Sequence, residues 1–254
     1  MPIGDNEFET VAKGDLPALL ASSSDDDLDF LVSYILNAST ESLSSKDEYK
    51  RHRPKHSRYT DLIAAEIREF GGNTFANLFR GEGPFYAEVV VDVCEQLKVK
   101  PGGDVVENEK KILMKIVEDS WEKLSPEKRE EFLDEIRKAG HKGASLSAAM
   151  PLSVIMAQLS VRLAGFMAYR MAMVAANAVA RQVLGRGLAL AVNAGLARAI
   201  GAFAGPIGWI VTGLWTAIDL AGPAYRVTIP CVIHVAYLRQ KLLFEALAAS
   251  ADFE

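Results

Sequence analysis

Two histidines one helical turn apart, His52 and His56, have a spacing that could serve metal coordination. Histidines at positions i and i+4 lie on one helix face, where both imidazoles can reach the same ion. Pro54 between them disfavours a continuous helix, and no acidic third ligand is adjacent. The surrounding residues are cations that repel a metal ion: Lys50, Arg51, Arg53, Lys55 and Arg58. The pattern therefore favours a solvated basic loop over a metal site. If this loop has a function, the charge predicts contact with phosphate or with an acidic partner.

The segment from Gly81 to Pro84 opens a predicted helix and could present backbone amides to an anion. It lacks the length and the lysine of a phosphate-binding loop, and Glu82 would repel phosphate, so a tight turn is favoured. The sequence contains no glycine-rich nucleotide loop, nucleophile elbow or His-Glu-x-x-His pattern. The carboxylates of the first half follow the spacing of solvated helix surfaces. We therefore predict a protein that is not an enzyme and that carries no cofactor and no metal.

The two cysteines, Cys94 and Cys231, each stand in apolar surroundings. Two buried free thiols are favoured over a disulfide, since cysteine is among the most buried residue types. His234 lies three residues after Cys231, close enough to share a helix face. A core histidine beside a buried thiol is favoured over a reactive thiolate pair.

Acidic residues are concentrated in the first half of the chain. The 254 residues carry a net charge of −5, and 29 of the 33 acids lie at or before residue 147. The net negative charge argues against a general nucleic-acid binder. The first twenty residues contain acids and no cationic start followed by an apolar run, so they do not form a secretory signal. We expect a cytoplasmic protein, peripheral at the inner face of the membrane if the membrane hypothesis below holds.

Apolar residues recur at helical spacing, and we predict an all-α protein in two unlike halves. Residues 1–24 are expected to form a loose tail, residues 25–140 an acidic helical domain, and residues 148–250 an apolar, cationic, alanine- and glycine-rich helical bundle or hairpin-containing region. The first helix is expected to start at the serine and aspartates around residue 25, because carboxylates favour the positive end of the helix dipole. Further helices are predicted over about residues 59–70, 85–97, 107–124 and from 126 onward.

One long helix is predicted from Pro151 to Leu184. Its polar residues fall within an arc of roughly 140° at 100° per residue. These residues are Gln158, Arg162, Tyr169, Arg170, Asn177 and Arg181. Such a helix can lie on an anionic leaflet with its arginines at the interface.

Residues 199–218 contain no charge, and twenty helical residues at about 1.5 Å each reach the roughly 30 Å of a bilayer core. Gly205 and Pro206 interrupt this stretch, because proline removes a donor and disfavours helix at the preceding residue. We therefore predict a tight hairpin between two apolar helices, followed by a last helix over 225–247 with a kink at Pro230. The predicted membrane or partner surface comprises Arg162, Arg170, Arg181, Pro206, Trp209 and Trp215.

Asp219 is an isolated acid at the end of this apolar stretch. An unpaired buried carboxylate would be costly. We predict a buried ion pair with Arg226 or Arg239, or a role in capping the helix after Gly222.

Three motifs resemble a known family. They are the run Phe70-Gly71-Gly72-Asn73 with Ala76-Asn77, Arg80-Gly81, Tyr86, Asp92-Val93 and Leu97-Lys98; the segment Asp27 to Leu31; and the distinctive run from Gly222 to Pro230. Over about residues 25–240 the chain resembles the YaaW family of bacterial proteins. That family is grouped at a distance with the ubiquinol–cytochrome c chaperones, so the resemblance implies a helical assembly factor without catalytic activity. It supplies no accepted catalytic residues, and the chain departs from shorter relatives in its longer alanine-rich helix.

Two functional hypotheses follow. In the first, the protein is non-enzymatic and its C-terminal half associates with an anionic membrane surface, either by lying on it or as an inserted hairpin. In the second, it is a soluble assembly chaperone or protein-binding module whose helical groove holds a partner helix. Glycine and alanine allow close helix packing in water as well as in lipid, so the composition fits both hypotheses.

Overall fold

The computed structural model describes residues 5–71, 84–138, 146–158, 161–188 and 224–251, and every regular element in these ranges is helical. The predicted all-α fold is thereby confirmed. The helices are α1 (Asp5–Ala12), α2 (Leu16–Ala21), α3 (Asp25–Leu36), α4 (Asp47–His52), α5 (Thr60–Gly71), α6 (Tyr86–Gln96), α7 (Val105–Lys123), α8 (Pro126–Lys138), α9 (Leu152–Ala157), α10 (Val161–Leu184) and α11 (Tyr225–Ala251). Short 3₁₀ turns cover Leu43–Ser45 and His56–Arg58.

The chain divides into two compact units, which differ from the predicted halves. The unit that we call the N-terminal unit combines residues 1–112 with residues 214–254, and the second unit contains residues 113–213. The C-terminal helix α11 therefore belongs with the N-terminal helices, although the sequence placed it in the second half. It packs against α1, α2, α3, α5 and α6. The physical reason is that α11 is apolar on all sides from Val227 to Leu238, and such a helix needs neighbours around its whole circumference.

The first 24 residues were predicted to be a loose tail, and the structure instead contains two helices there. The Asp15 carboxylate accepts a hydrogen bond from the Ala18 amide at 2.8 Å and caps α2. Val11 and the leucines of α2 are fully or almost fully buried. This short segment has few apolar residues, so its sequence shows no clear periodicity. Both of its helices nevertheless pack against α11.

Two local predictions for the N-terminal unit, the start of α3 and the helix at residues 85–97, are confirmed. Ser24 caps α3, with its hydroxyl accepting from the Asp27 amide, and three aspartates occupy the first turn. The segment 85–97 is helix α6 rather than a strand. At the end of α5, a Cβ on Gly71 would clash with the Val89 side chain, so only glycine allows α5 and α6 to approach this closely.

In the second unit, the predicted long helix from Pro151 to Leu184 is divided. Helix α9 ends at Ala157, where the Gln158 amide bonds back to Ile155 in a tight final turn, and α10 begins at Val161. The Trp121 indole donates to the Met150 carbonyl at 3.0 Å, which ties the end of α7 to the residues before α9. Within the described residues, no helix is both long enough and apolar enough to cross a bilayer. The predicted hairpin around Pro206 lies outside those residues.

Candidate functional site

Among the described residues of the N-terminal unit, the most strongly buried charges are Glu109 on α7 and Arg239 on α11. Both side chains have an exposed fraction of 0%. The Arg239 Nε donates to Glu109 Oε2 at 2.6 Å, and its Nη2 donates to Glu109 Oε1 at 3.1 Å. This two-point contact is the geometry in which a guanidinium binds a carboxylate most specifically.

Two further groups complete the contacts of this pair. Tyr86 of α6 donates its hydroxyl proton to Glu109 Oε1 at 2.9 Å, and Arg239 Nη1 donates to the Val11 carbonyl of α1 at 2.6 Å. Burial raises the pKa of Tyr86 well above its usual range, and the Glu109 charge acts in the same direction. Burial opposes the charged form of Arg239, but Glu109 outweighs it and the pKa of Arg239 is raised. The network joins four helices around two fixed charges.

Sequence reasoning named Arg239 as one member of a buried ion pair but proposed Asp219 as its partner. Asp219 lies outside the described residues, and the partner in the structure is Glu109. One signal for Glu109 was available. It lies on the same face of α7 as Val106, Ile112 and Leu113, which are buried, so a charge at that position needs a partner.

His234 lies in an aromatic cluster between α3 and α11. Its ring stacks on Phe30 at a centroid distance of 5.5 Å and makes edge contacts with Tyr34 and Tyr237. Its Nε2–H donates to the Asp27 carbonyl at 3.0 Å. Burial lowers the pKa of His234 to about 4, and the bond to Asp27 only partly opposes this shift. The histidine is therefore a neutral core residue at neutral pH, as predicted.

A second contact holds the same two helices together. Lys241 of α11 donates to the Asp27 carboxylate at 2.6 Å in a partly exposed ion pair. Asp27 thus accepts from His234 with its backbone and from Lys241 with its side chain.

Both cysteines are free and buried, which confirms the prediction for Cys94 and Cys231. Burial raises the pKa of both thiols, and that of Cys231 lies well above its usual range. Neither group carries the thiolate that nucleophilic or metal-binding chemistry requires at neutral pH.

His56 is part of a buried contact rather than a metal site. Its Nδ1 accepts from the Tyr59 hydroxyl at 2.5 Å, and its Nε2 donates to Asp29 Oδ1 at 3.3 Å. This order of carboxylate, imidazole and hydroxyl resembles a nucleophile relay, but burial raises the pKa of Tyr59 to about 12, with Tyr49, Asp25 and Asp29 adding to the effect. The tyrosine is therefore a poor nucleophile, and the contact anchors the chain at this point.

We call residues 46–58 the cationic segment. Its Lys and Arg side chains are all exposed: Lys46, Lys50, Arg51, Arg53, Lys55 and Arg58. Contacts with the rest of the N-terminal unit fix the backbone of the segment. Tyr49 and His56 are buried, and the Ser57 amide donates to Asp25 Oδ1 at 2.7 Å. The sequence predicted a solvated basic loop here, and the structure instead orders the segment as α4 and a 3₁₀ turn.

One exposed aromatic residue is held in a fixed position at the start of α6. Phe85 has an exposed fraction of 71%. The Arg68 guanidinium lies 6.0 Å from the Phe85 ring centroid, and Arg68 Nε donates to the Pro84 carbonyl at 2.7 Å. Aromatic residues and arginines are the residue types that contribute most binding energy at protein interfaces. Sequence reasoning did not single out either residue.

The predicted arginine face of the second unit is only partly exposed. Arg181 is exposed, whereas Arg170 has an exposed fraction of 7% and lies 5.1 Å from the Phe166 ring centroid. Arg170 therefore does not occupy the surface position that the prediction gave it, because residues around it cover the middle of α10. Arg162 belongs to α10, but its side chain is not described, and Arg226 is exposed at the start of α11. The other predicted surface residues lie outside the described ranges: Pro206, Trp209 and Trp215.

In the part of the chain that the structure describes, no group of three or more histidine, cysteine or acidic side chains could hold a metal ion. The buried polar side chains described in the N-terminal unit mainly connect helices. Its two most prominent exposed features are the cationic segment and Phe85, which is the most exposed large apolar residue of the described chain. This arrangement can support binding.

The chain is similar in sequence to one described protein family and to several bacterial proteins. The model of the family described as ubiquinol-cytochrome C chaperone matches residues 55–234. A UPF0174 protein of Helicobacter pylori strain J99 is 43% identical over 205 residues, which cover 79% of each chain. The UPF0174 protein YaaW of Escherichia coli K12 is 30% identical over 191 residues, 74% of each chain. The chain belongs to the YaaW (UPF0174) family.

Membership of the YaaW family confirms the resemblance drawn from the sequence motifs, including the grouping with the chaperones. A second Helicobacter pylori relative, from strain 26695, is 37% identical over 210 residues, which span 98% of that protein and 80% of this chain. No solved structure matches the chain. The matched range 55–234 contains His56, Glu109 and His234, which anchor the N-terminal unit.

Proposed function

We propose that this YaaW-family chain is a non-enzymatic assembly chaperone that holds a segment of an unassembled partner protein. The observation that carries the proposal is the match of the chaperone family over residues 55–234. The name of that family refers to ubiquinol–cytochrome c, and for this chain we propose the general activity, which is the holding of a partner polypeptide.

The protonation states of the buried titratable groups support a non-catalytic role. At neutral pH the shifts in pKa keep His234, Tyr59 and both thiols uncharged. General acid–base and nucleophilic catalysis instead use groups whose pKa values lie near the working pH. The contacts of these groups serve helix packing.

We propose Phe85 and Arg68 as the centre of the partner-binding surface. A large aromatic side chain that is mostly exposed leaves apolar area in water, and a partner would cover it. The hydrogen bond from Arg68 to Pro84 fixes the backbone next to Phe85, so little conformational entropy would be lost on binding. An apolar segment of the partner, such as one face of a helix, has the complementary chemistry.

The alternative function is a C-terminal half that associates with membranes through the arginine face and a hairpin. Its central segment, residues 199–218, lies outside the described residues. The burial of Arg170 removes one of the three arginines on which the face depended. We therefore place the partner-binding proposal first.

The proposal is tested by measuring how well the purified chain suppresses aggregation of a heat-unfolded reporter protein, followed by light scattering. We expect suppression by the native chain and a large loss for Phe85→Ala. Truncation of a central interface residue costs about 2 kcal/mol or more, which is roughly a 30-fold loss of affinity. The fold should be unaffected because the Phe85 side chain is mostly exposed.

The matched control is Leu247→Ala, which removes another exposed apolar side chain from the same unit. This variant should suppress aggregation as well as the native chain does. Equal loss in both variants would show that the effect is non-specific, and absence of suppression by the native chain would contradict the chaperone proposal.

A further inference from the structure

The cationic segment, residues 46–58, differs in charge from the rest of the molecule. It contains six exposed Lys and Arg residues and two acids, Asp47 and Glu48, in a protein whose net charge is −5. Three of its cations, Lys46, Arg51 and Arg58, form no ion pair with any described residue. Their positive charge is therefore available to an external anion.

The structure holds this charge in a defined place. Tyr49, His56 and Tyr59 are buried beneath the segment, and the Ser57 amide is bonded to Asp25. Lys50 donates to the carbonyl of Ser45, the residue just before the segment, at 2.6 Å, which ties α4 to the preceding 3₁₀ turn. Because the backbone is ordered before binding, little additional entropy is lost when the segment meets a charged surface.

Two acids outside the segment lie against it, because Asp25 accepts from the Ser57 amide at 2.7 Å and Asp29 accepts from His56 at 3.3 Å. At physiological ionic strength, charges separated by more than about 8 Å are largely screened from one another in solvent. A surface that approaches the segment therefore experiences six cations and four acids, Asp47, Glu48, Asp25 and Asp29, which leaves a local excess of two positive charges.

The side chains that are missing from the segment indicate which partner it fits. Its aromatic residue, Tyr49, is buried, and none of the large exposed apolar residues of the described chain lies within it. Protein interfaces usually depend on a buried aromatic or apolar anchor, and single-stranded nucleic acids are bound by stacking on exposed aromatic rings. By contrast, clusters of four to eight Lys and Arg residues near a membrane surface are typical of electrostatic binding to anionic lipid headgroups, which needs no exposed aromatic anchor.

We propose that the cationic segment is a docking surface for an anionic lipid bilayer, on which the N-terminal unit rests without inserting. This surface lies in a different unit from the arginine face of α10, and it does not depend on residues 199–218. It is also independent of partner binding at Phe85. Attraction to lipid charge is the dominant interaction, so binding must weaken as salt is added.

The test is flotation of the full chain with vesicles of phosphatidylcholine alone and with vesicles that also contain about 30% phosphatidylglycerol, in low and in high salt. We expect binding to the anionic vesicles in low salt only. The triple variant Lys46→Gln, Arg51→Gln, Arg58→Gln should bind them at least tenfold more weakly, because each cation near an anionic surface strengthens binding about fivefold.

The matched control removes three other exposed lysines from the same unit, as Lys98→Gln, Lys100→Gln and Lys110→Gln. It has the same net charge as the triple variant and should bind within about twofold of the native chain. A charge-preserving variant, Lys46→Arg with Arg51→Lys and Arg58→Lys, should also bind like the native chain. This variant keeps the proposal testable if the glutamine substitutions disturb the fold.

Several outcomes would overturn the proposal. They are no flotation with anionic vesicles, binding that high salt does not weaken, and an equal loss in the triple variant and the lysine control. Binding to a single-stranded RNA or to polyglutamate that exceeds binding to the vesicles would assign the segment to another class of partner. Salt-sensitive flotation that is lost only in the triple variant would establish it.

Discussion

Helix α11 and the cationic segment both carry positive charge, but the structure treats these charges in opposite ways. In α11, Arg239 is fully buried and bonded to Glu109 and to the Val11 carbonyl. In the cationic segment, Lys46, Arg51 and Arg58 are exposed and form no ion pair with described residues. The comparison teaches that the cover around a cation, rather than its residue type, decides whether it stabilises the fold or remains available for binding.

The two regions also differ in how their histidines are used. His234 of α11 is neutral within an aromatic cluster, and its pKa is lowered to about 4 by burial. His56 bonds to Tyr59 and Asp29 and holds the cationic segment in place. Each histidine therefore serves packing, and the proposed lipid-docking surface lies among the cations around the second one.

The largest effect is expected for Arg239→Met, which leaves the Glu109 carboxylate buried without its cation. Removal of one partner of a buried ion pair costs about 3–5 kcal/mol, and we expect the free energy of unfolding to fall by this amount. Denaturant unfolding at neutral pH measures it. The double variant with Glu109→Gln should lose less than the sum of the two single variants. A loss of less than about 1 kcal/mol in Arg239→Met would show that the pair does not support the fold.

A smaller effect, limited to acid pH, is expected from His234. Its pKa in the folded state is about 4, below the ordinary value of 6.5, so the unfolded chain takes up a proton first as the pH falls. Stability from this group is present above pH 6.5 and is lost between pH 6.5 and 4, by about 3 kcal/mol in all. Denaturant unfolding at several pH values should show this loss in the native chain in addition to that of His234→Gln. Parallel pH curves for the two proteins would contradict the assignment.

The smallest effect on stability is expected for the triple glutamine variant of the cationic segment. Exposed cations without an ion pair contribute little to folding, so we expect the free energy of unfolding to change by less than about 0.5 kcal/mol. The same denaturant measurement checks this value beside Arg239→Met. A loss comparable to that of Arg239→Met would remove the distinction between the two regions and would place these cations among the structural residues.

Features that depend only on residues close together in the sequence could be predicted from it. The all-α fold, the start of α3 at Ser24, the helices near residues 60–71 and 86–96 and the two buried thiols follow from helical periodicity, capping and local apolarity. The YaaW motifs identified the family for the same reason, because each is a short run of residues. The expectation for His234 as a core histidine also depended only on its apolar surroundings.

Long-range pairing was decided by the tertiary structure alone. Arg239 could be recognised as a buried cation, but its partner lies 130 residues away on α7, and no local pattern specifies such a distance. The ordered N-terminus has the same explanation, since α1 and α2 are too short to be stable alone and depend on the helix that they cover. Local sequence patterns were sufficient to predict most of the longer helices and their apolar faces. Only the packing of α11 among the N-terminal helices decided which charges are buried and which remain exposed.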